Sequence, residues 1–271
     1  MTVRRLRVDG FAALEGIPPA DRPAPPDRRP VVFVHGFTGG KDDASLLLER
    51  FAAAGHPALA FDQRGTYETP GPDDEAAYSL DAWAADVVTV ARSWAGGPVH
   101  LIGHSLGGYI ARAAVVAEPS AFASLVLLDS GRGPTIEAAD RDRREFLQRL
   151  RTGGPAAAWT DDPNAEPDRA ALLRERIWTT RPAALYVAGA VLSDPPPMVE
   201  ALAATGVPTL VVYGSEEDLW PLANLIALAR ELGRDPVVIH GSGHLPNEDN
   251  PDATAAAMLA FWREADDGAP A

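Results

Sequence analysis

The stretch from Val99 to Ala117 limits what this chain can fold into more than any other. Val99–Ile102 is a short apolar run with strand character, it stops at Gly103-His104-Ser105-Leu106-Gly107, and the alanine-rich segment Tyr109–Ala117 that follows has helical composition. A strand that passes through Gly-x-Ser-x-Gly into a helix makes a tight, strained turn, where side chains two positions either side of the serine would collide with strand and helix. Gly103 and Gly107 remove those side chains, so the Ser105 hydroxyl projects above the sheet. The helix begins beside that hydroxyl, and its first amides face any negative charge that develops there. A chance glycine–serine turn is the plain alternative, and the flanking elements argue against it.

The rest of the chain repeats this alternation. Val31–Val34, Ala58–Phe61, Ser124–Leu128, Val207–Tyr213 and Pro236–His240 read as strands, with helices over Ala44–Ala54, Leu80–Trp94, Pro221–Leu232 and Asp252–Glu264. Strands that are apolar throughout and separated by helices imply an α/β fold with a mostly parallel, doubly wound sheet covered on both faces. Upstream, Val3–Val8 and Phe11–Leu14 flank Asp9-Gly10 and predict an antiparallel hairpin, and the proline-rich run Ile17–Pro30 predicts a surface connection. Between 131 and 205 the strand pattern breaks. Helices are predicted there over Ile136–Arg151, Asp168–Trp178, Pro182–Leu192 and Pro197–Ala204, punctuated by Gly153-Gly154-Pro155, Asp162-Pro163 and Asp194-Pro-Pro-Pro197. The expectation is a core domain over 1–130 and 206–271, an inserted helical cap over 131–205, and a frayed tail over Asp266–Ala271.

Composition narrows the chemistry. The chain has no cysteine, which excludes disulfides, thiolate metal sites and a cysteine nucleophile. A net charge of −14 argues against nucleic acid or an anionic membrane surface as partner. No segment is long and apolar enough to span a bilayer, and Met1–Gly10 lacks the apolar core of a signal peptide, so the reading is cytoplasmic. No metal cluster stands out, no phosphate-loop lysine accompanies the glycines, and no Gly-x-Gly-x-x-Gly follows the first sheet strand; neither a metal nor a cofactor is implied. The partner is a small-molecule substrate, and oligomeric state is not readable.

Acyl transfer by a serine needs a base, an acid to orient it and donors for the oxyanion. The chain supplies candidates in the order serine, acid, histidine, each at the C-terminal end of a strand. On these residues, Gly103-His-Ser-Leu-Gly107 together with His35-Gly36-Phe37 and Gly243-His244, the chain resembles the α/β-hydrolase family from about Val31 to Trp262. The resemblance implies that His244 is the base, on a glycine-flanked loop after the last strand. It places the acid after the strand ending at Tyr213, in Gly214-Ser-Glu216-Glu217-Asp218. Asp218 is favoured, because aspartate is the commoner partner and Leu219-Trp220 would bury it; Glu217 is second, and Asp129, ending an earlier strand, is third. The backbone N–H groups of Phe37 and Leu106 are the expected oxyanion donors, Thr38 could add a hydroxyl, and Gly39-Gly40 would leave room for an acyl chain. His35 and the turn Asp62-Gln-Arg64-Gly65 read as loop supports, His104 as a support beside the nucleophile that could also touch substrate, and His56, His100 and His240 as structural. In the cap, Trp159, Trp178 and Tyr186, with Leu185, Leu192 and Met198, either wall the pocket or pack on one another.

The resemblance thus implies a serine hydrolase that cleaves a carboxylic ester-type bond of a small, partly apolar substrate through an acyl-enzyme on Ser105. Thioesterase or lactonase action on a secondary metabolite, and cofactor-free haloperoxidase chemistry, would use the same residues. A non-catalytic binding, receptor or cyclase-like protein is a reading from another class, which the full set of catalytic groups disfavours. Ser105 stands where epoxide hydrolases and dehalogenases of this fold carry an aspartate, which sets those relatives aside.

Overall fold

The structure is a computed structural model that describes residues 2–20, 28–160 and 166–267. Most of the proline-rich connection (21–27), the Asp162-Pro163 punctuation and the tail 268–271 lie outside the described residues. The strands are β1 (Thr2–Val8), β2 (Phe11–Ile17), β3 (Val31–Val34), β4 (Ala58–Phe61), β5 (Val99–His104), β6 (Phe122–Leu128), β7 (Thr209–Gly214) and β8 (Val237–Ile239). They form one sheet in the order β1-β2-β4-β3-β5-β6-β7-β8. β1 and β2 are an antiparallel hairpin whose turn residues, Asp9 (φ 46°) and Gly10 (φ 88°), both take the left-handed backbone that a two-residue hairpin turn requires. β2 pairs antiparallel with β4, and every pairing from β4 to β8 is parallel.

β3 and β4 are buried at every position, as the unbroken apolar runs predict, because helices cover both faces of the sheet. α1 (Ser45–Ala53) and α10 (Pro251–Asp267) pack Leu47, Leu48, Phe51, Met258 and Trp262 against Phe33, Val126 and Val212 on one face. α2 (Leu80–Ala95), α3 (Leu106–Ala117) and α8 (Leu222–Glu231) cover the other, where Val87, Tyr109 and Leu225 meet Val32, Leu101 and Val211. The ends of α2 are fixed locally: the Ser79 hydroxyl accepts the N–H of Ala82 at 3.0 Å, and Gly96 (φ 68°) turns the chain out of the helix. α10 extends further than the sequence suggests. Asp266, expected in a frayed tail, lies within it and accepts a hydrogen bond from Arg29 at 2.9 Å.

Between β6 and β7 lie α4 (Glu137–Ala158), α5 (Pro167–Thr179), α6 (Pro182–Ser193) and α7 (Val199–Ala204), an inserted helical cap. Gly153-Gly154-Pro155 does not separate two elements but bends one: Gly154 at φ 70° breaks the helical path inside α4. The cap has its own small core of Leu150, Ala158 and Leu185, which reaches Phe37 of the sheet domain, and Phe146 meets Phe37 edge-on at 6.1 Å.

Candidate active site

β5 ends in the turn that the sequence singles out. Ser105 has φ 54° and ψ −120°, a conformation that costs a non-glycine residue about 1–3 kcal/mol. Its N–H donates to Leu128 O at 2.9 Å and its carbonyl accepts from Gly108 N–H at 3.0 Å, so the flanking backbone holds it there. A Cβ on Gly103 would strike the carbonyl of Gly107, and one on Gly107 would strike the carbonyls of Val34 and His35. The two glycines let α3 approach β3 and β5 closely. Leu106 opens α3, and its N–H, like that of Phe37, meets no backbone acceptor among the described residues. Gly36 lies alongside, with its missing Cβ position 3.1 Å from Ser105 Cβ and 3.5 Å from Ser105 Oγ.

His35 anchors this loop through both ring nitrogens. Nδ1 donates to Gly36 O at 2.8 Å and Nε2 accepts from Gln63 N–H at 3.1 Å, a tautomer that suits a ring whose burial lowers its pKa. Asp62, fully buried in the turn after β4, accepts the Lys41 N–H and the Lys41 ammonium, both at 2.8 Å.

His244 sits on the loop after β8, and its Nδ1 is 2.7 Å from Oε2 of Glu217. Aspartate as the commoner partner, with Leu219-Trp220 to bury it, favours Asp218 for this position, but the structure places Asp218 exposed and puts the fully buried Glu217 side chain against His244. The backbone gives the reason. Glu217 N–H returns to Gly214 O at 3.1 Å and Glu216 N–H reaches Ser242 O at 2.9 Å, so the turn closes on the third residue after Gly214 and directs the fourth outward. Leu219 and Trp220 do shelter a carboxylate, but it is Glu217, whose Oε1 accepts their N–H groups at 2.5 and 3.2 Å. Burial opposes charge on Glu217, yet the hydrogen bond and charge of His244, with the Leu219 N–H, help to outweigh it and the carboxyl is held at about 2. Asp129 is fully buried behind this pair, accepting Gly214 N–H at 3.0 Å.

Asp129, Glu217 and His244 bring their polar atoms within 4.8 Å of one another, the one such group among the described residues whose composition would suit a metal ion. Within it, the His244 nitrogen that faces Glu217 is engaged in a hydrogen bond at 2.7 Å.

Ser105, His104 and His244 share the wall of one cavity of about 450 Å³ with Phe37, Thr38 and Gly39. His104 Nε2 donates to His244 O at 2.9 Å, tying the nucleophile turn to the histidine loop, and its ring packs beside that of His244 at 5.0 Å. Burial, then the neighbouring His244, pushes its pKa down to about 4, so it is a neutral support. At Gly39 and Gly40 the places of side chains are already taken, while Gly39 itself lines the cavity. The Asp43 carboxylate fills the place of a Gly39 side chain, and the Arg176 guanidinium that of Gly40.

The cap aromatics Trp159, Trp178 and Tyr186 are absent from the cavity wall. Trp159 and Trp178 pack edge-on at 6.3 Å, Trp178 is 40% exposed, and Tyr186 carries the Arg151 guanidinium 3.9 Å above its ring. The cap instead contributes Leu173, Leu192, Arg143 and Arg176, with Leu219, Trp220 and Leu245 from the core loops.

Asp43, which no sequence motif marks, joins three segments at this site. Its Oδ2 accepts Gly40 N–H at 3.0 Å, its Oδ1 accepts Arg176 Nη1 of α5 at 2.6 Å, and its carbonyl accepts Asn247 Nδ2 from the histidine loop at 2.9 Å. Burial would raise its pKa, but the charge and hydrogen bond of Arg176, together with the Gly40 N–H, outweigh burial and the carboxyl stays below its ordinary range.

With this geometry in view, the model of the α/β-hydrolase family matches residues 31–257, from β3 into α10. The chain belongs to the α/β-hydrolase family. Among curated members, a non-heme chloroperoxidase of Streptomyces lividans is 36% identical over 108 residues, 39% of this chain and 38% of that one. A mitochondrial palmitoyl-protein thioesterase of Homo sapiens is 30% identical over 98 residues, 35% of this chain and 31% of that one. The alignments thus span less than half the length of the curated relatives. In structure, this α/β-hydrolase is similar to a thermophilic esterase from Thermogutta terrifontis, with TM-score 0.75 and 22% identity over 98% of this chain and 99% of that one. At that identity the likeness concerns the fold. No described helix is long and apolar enough to cross a membrane.

Proposed function

We propose that this α/β-hydrolase cleaves a carboxylic ester-type bond of a small, partly apolar substrate through an acyl-enzyme on Ser105. The observation that carries the reading is the pairing of His244 with buried Glu217, on the wall of the cavity that also exposes the strained Ser105. In this mechanism His244 Nε2 takes the Ser105 proton as Oγ attacks the substrate carbonyl, and Glu217 stabilises the imidazolium. The N–H groups of Phe37 and Leu106 receive the oxyanion, the imidazolium protonates the departing alcohol, and water activated by His244 then releases the acid. The Leu173, Leu192 and Leu219 side chains suit an aliphatic acyl or alcohol group.

The test is hydrolysis of a p-nitrophenyl ester series, with acyl thioesters in parallel, by the wild type and Ser105→Ala. Turnover that disappears in Ser105→Ala, together with fluorophosphonate labelling of the wild type alone, is the expected result. A faster thioester series would move the substrate class toward that of the human relative. Folded wild type that neither turns over nor labels would overturn the enzymatic reading.

A further inference from the structure

Glu217 and Asp129 form a contact that two ionised carboxylates could not keep in a buried site. Both side chains are fully buried, and each carries a different load of hydrogen-bond donors. Glu217 accepts three, from His244 Nδ1, Leu219 N–H and Trp220 N–H. Asp129 accepts one, from Gly214 N–H on Oδ1, while its buried Oδ2 meets no donor among the described residues, and an oxygen of each of the two carboxyls lies within 4.8 Å of the other. The side chain is aimed there by backbone strain: Asp129 has φ 42°, with its N–H fixed to Val212 O at 2.9 Å. A carboxylate oxygen with no donor, buried against a second carboxylate, needs a proton of its own.

We propose that Asp129 is kept as the neutral acid and donates its Oδ2–H to Glu217, acting as a positioning residue for the His244–Glu217 pair. The proposal rests on reading that pair as base and orienting acid. Burial and the Glu217 charge both push the Asp129 carboxyl well above the ordinary range, while Glu217 is held low. The groups facing the two carboxyls are His244 from the loop after β8, Asp249 from the short helix Pro246–Asp249, and the neutral His104 from the end of β5. One proton between two acids leaves a single negative charge, matched to the single positive charge that His244 acquires. The extra donor also makes Glu217 a weaker base, so the proton on Nδ1 stays with the imidazole.

Asp129→Asn separates this arrangement from an ionised Asp129, because the amide still offers an N–H to Glu217 and an oxygen to Gly214 N–H. With a neutral donor, Asp129→Asn keeps kcat/KM within about twofold and leaves the acid limb of its pH profile in place. Asp129→Leu, which has no donor, lowers kcat by about tenfold to a hundredfold with little change in KM, and moves the acid limb to higher pH as Glu217 gains basicity. Infrared difference spectra at neutral pH give a readout independent of turnover: the wild type shows the carbonyl stretch of a protonated buried carboxyl, and Asp129→Asn lacks it. An acid limb that moves to lower pH in Asp129→Asn, with a large loss of kcat, or a wild type with no protonated-carboxyl band, would overturn the proposal. Failure of the serine mechanism itself would show instead as an unlabelled Ser105, so the two outcomes are distinguishable.

Discussion

The floor and the roof of the cavity are built on different principles. The floor consists of strand ends and tight turns, and backbone constraints fix its geometry: Ser105 in a strained conformation, Gly103 and Gly107 where no Cβ fits, and a turn after β7 that closes on Glu217. The roof consists of long side chains on helices. Arg176, Arg143 and Leu173 reach the cavity from α4 and α5, and Asp140, Asp43 and Ser193 hold the two arginines by ion pairs and hydrogen bonds. A floor made by backbone tolerates little change and determines the reaction, while a roof made by side chains can be rebuilt residue by residue and determines what enters.

The largest expected effects lie in the floor. Under the proposed mechanism, Ser105→Ala and Glu217→Gln should each lower kcat by about 10⁴-fold or more with folding intact, since one would remove the nucleophile and the other the charge and tautomer control on His244. Asp218→Asn should stay within about twofold of wild type, because an exposed carboxylate acts little on the site. Steady-state kinetics on one ester, with melting curves for each variant, decide this, and a reversed ranking of Glu217 and Asp218 would undo the assignment of the acid.

In the roof, Arg176→Met should cost about 3–5 kcal/mol of stability, because it leaves the buried Asp43 charge only its longer 3.5 Å contact with Arg169. The combined variant Arg176→Met with Asp43→Asn should recover part of that loss. Denaturant titrations of the single and double variants measure the coupling.

A smaller effect lies away from the cavity. His100 is fully buried, stacked on Trp262 at 4.8 Å and close to His56, and burial lowers the pKa of both histidines. The unfolded chain therefore takes up more protons once pH falls below about 6.5, so stability is full above that value and declines as pH falls toward the folded pKa values. His100→Phe should flatten that slope, read from denaturation midpoints between about pH 5 and 7. The smallest effect is expected at Trp178, where replacement by Ala should leave KM within about twofold, because the ring lies outside the cavity wall. A large KM change there would mean that the cap rearranges around substrate.

Local chain physics made much of the floor legible in advance. The elbow follows from glycine spacing between a strand and a helix, and the parallel sheet follows from unbroken apolar runs. For the acid, residue types favour Asp218 over Glu217 and Asp129, whereas the carboxylate that meets His244 is Glu217, because the outcome depends on two backbone hydrogen bonds, Glu217 to Gly214 and Glu216 to Ser242, that residue types do not specify. The roof was least legible. Asp43 and Arg176 are 133 positions apart, and neither stands in a pattern that betrays the other. The cap aromatics are large, yet Tyr186 of α6 is covered by Arg151 of α4, and Trp178 of α5 packs on Trp159 at the end of α4.

Asp43 bears on how such a protein can diverge. A cap held only by greasy contact could be exchanged between relatives as a free cassette. Here a graft that arrived without arginines where Arg169 and Arg176 stand would leave an unanswered charge beside the loop that carries Gly36 and Gly40, and loosen the histidine loop through Asn247. The cap and the loops beneath it are therefore inherited as a linked pair, and any recombination that exchanges the first must carry its guanidinium groups across the boundary to keep the second in place.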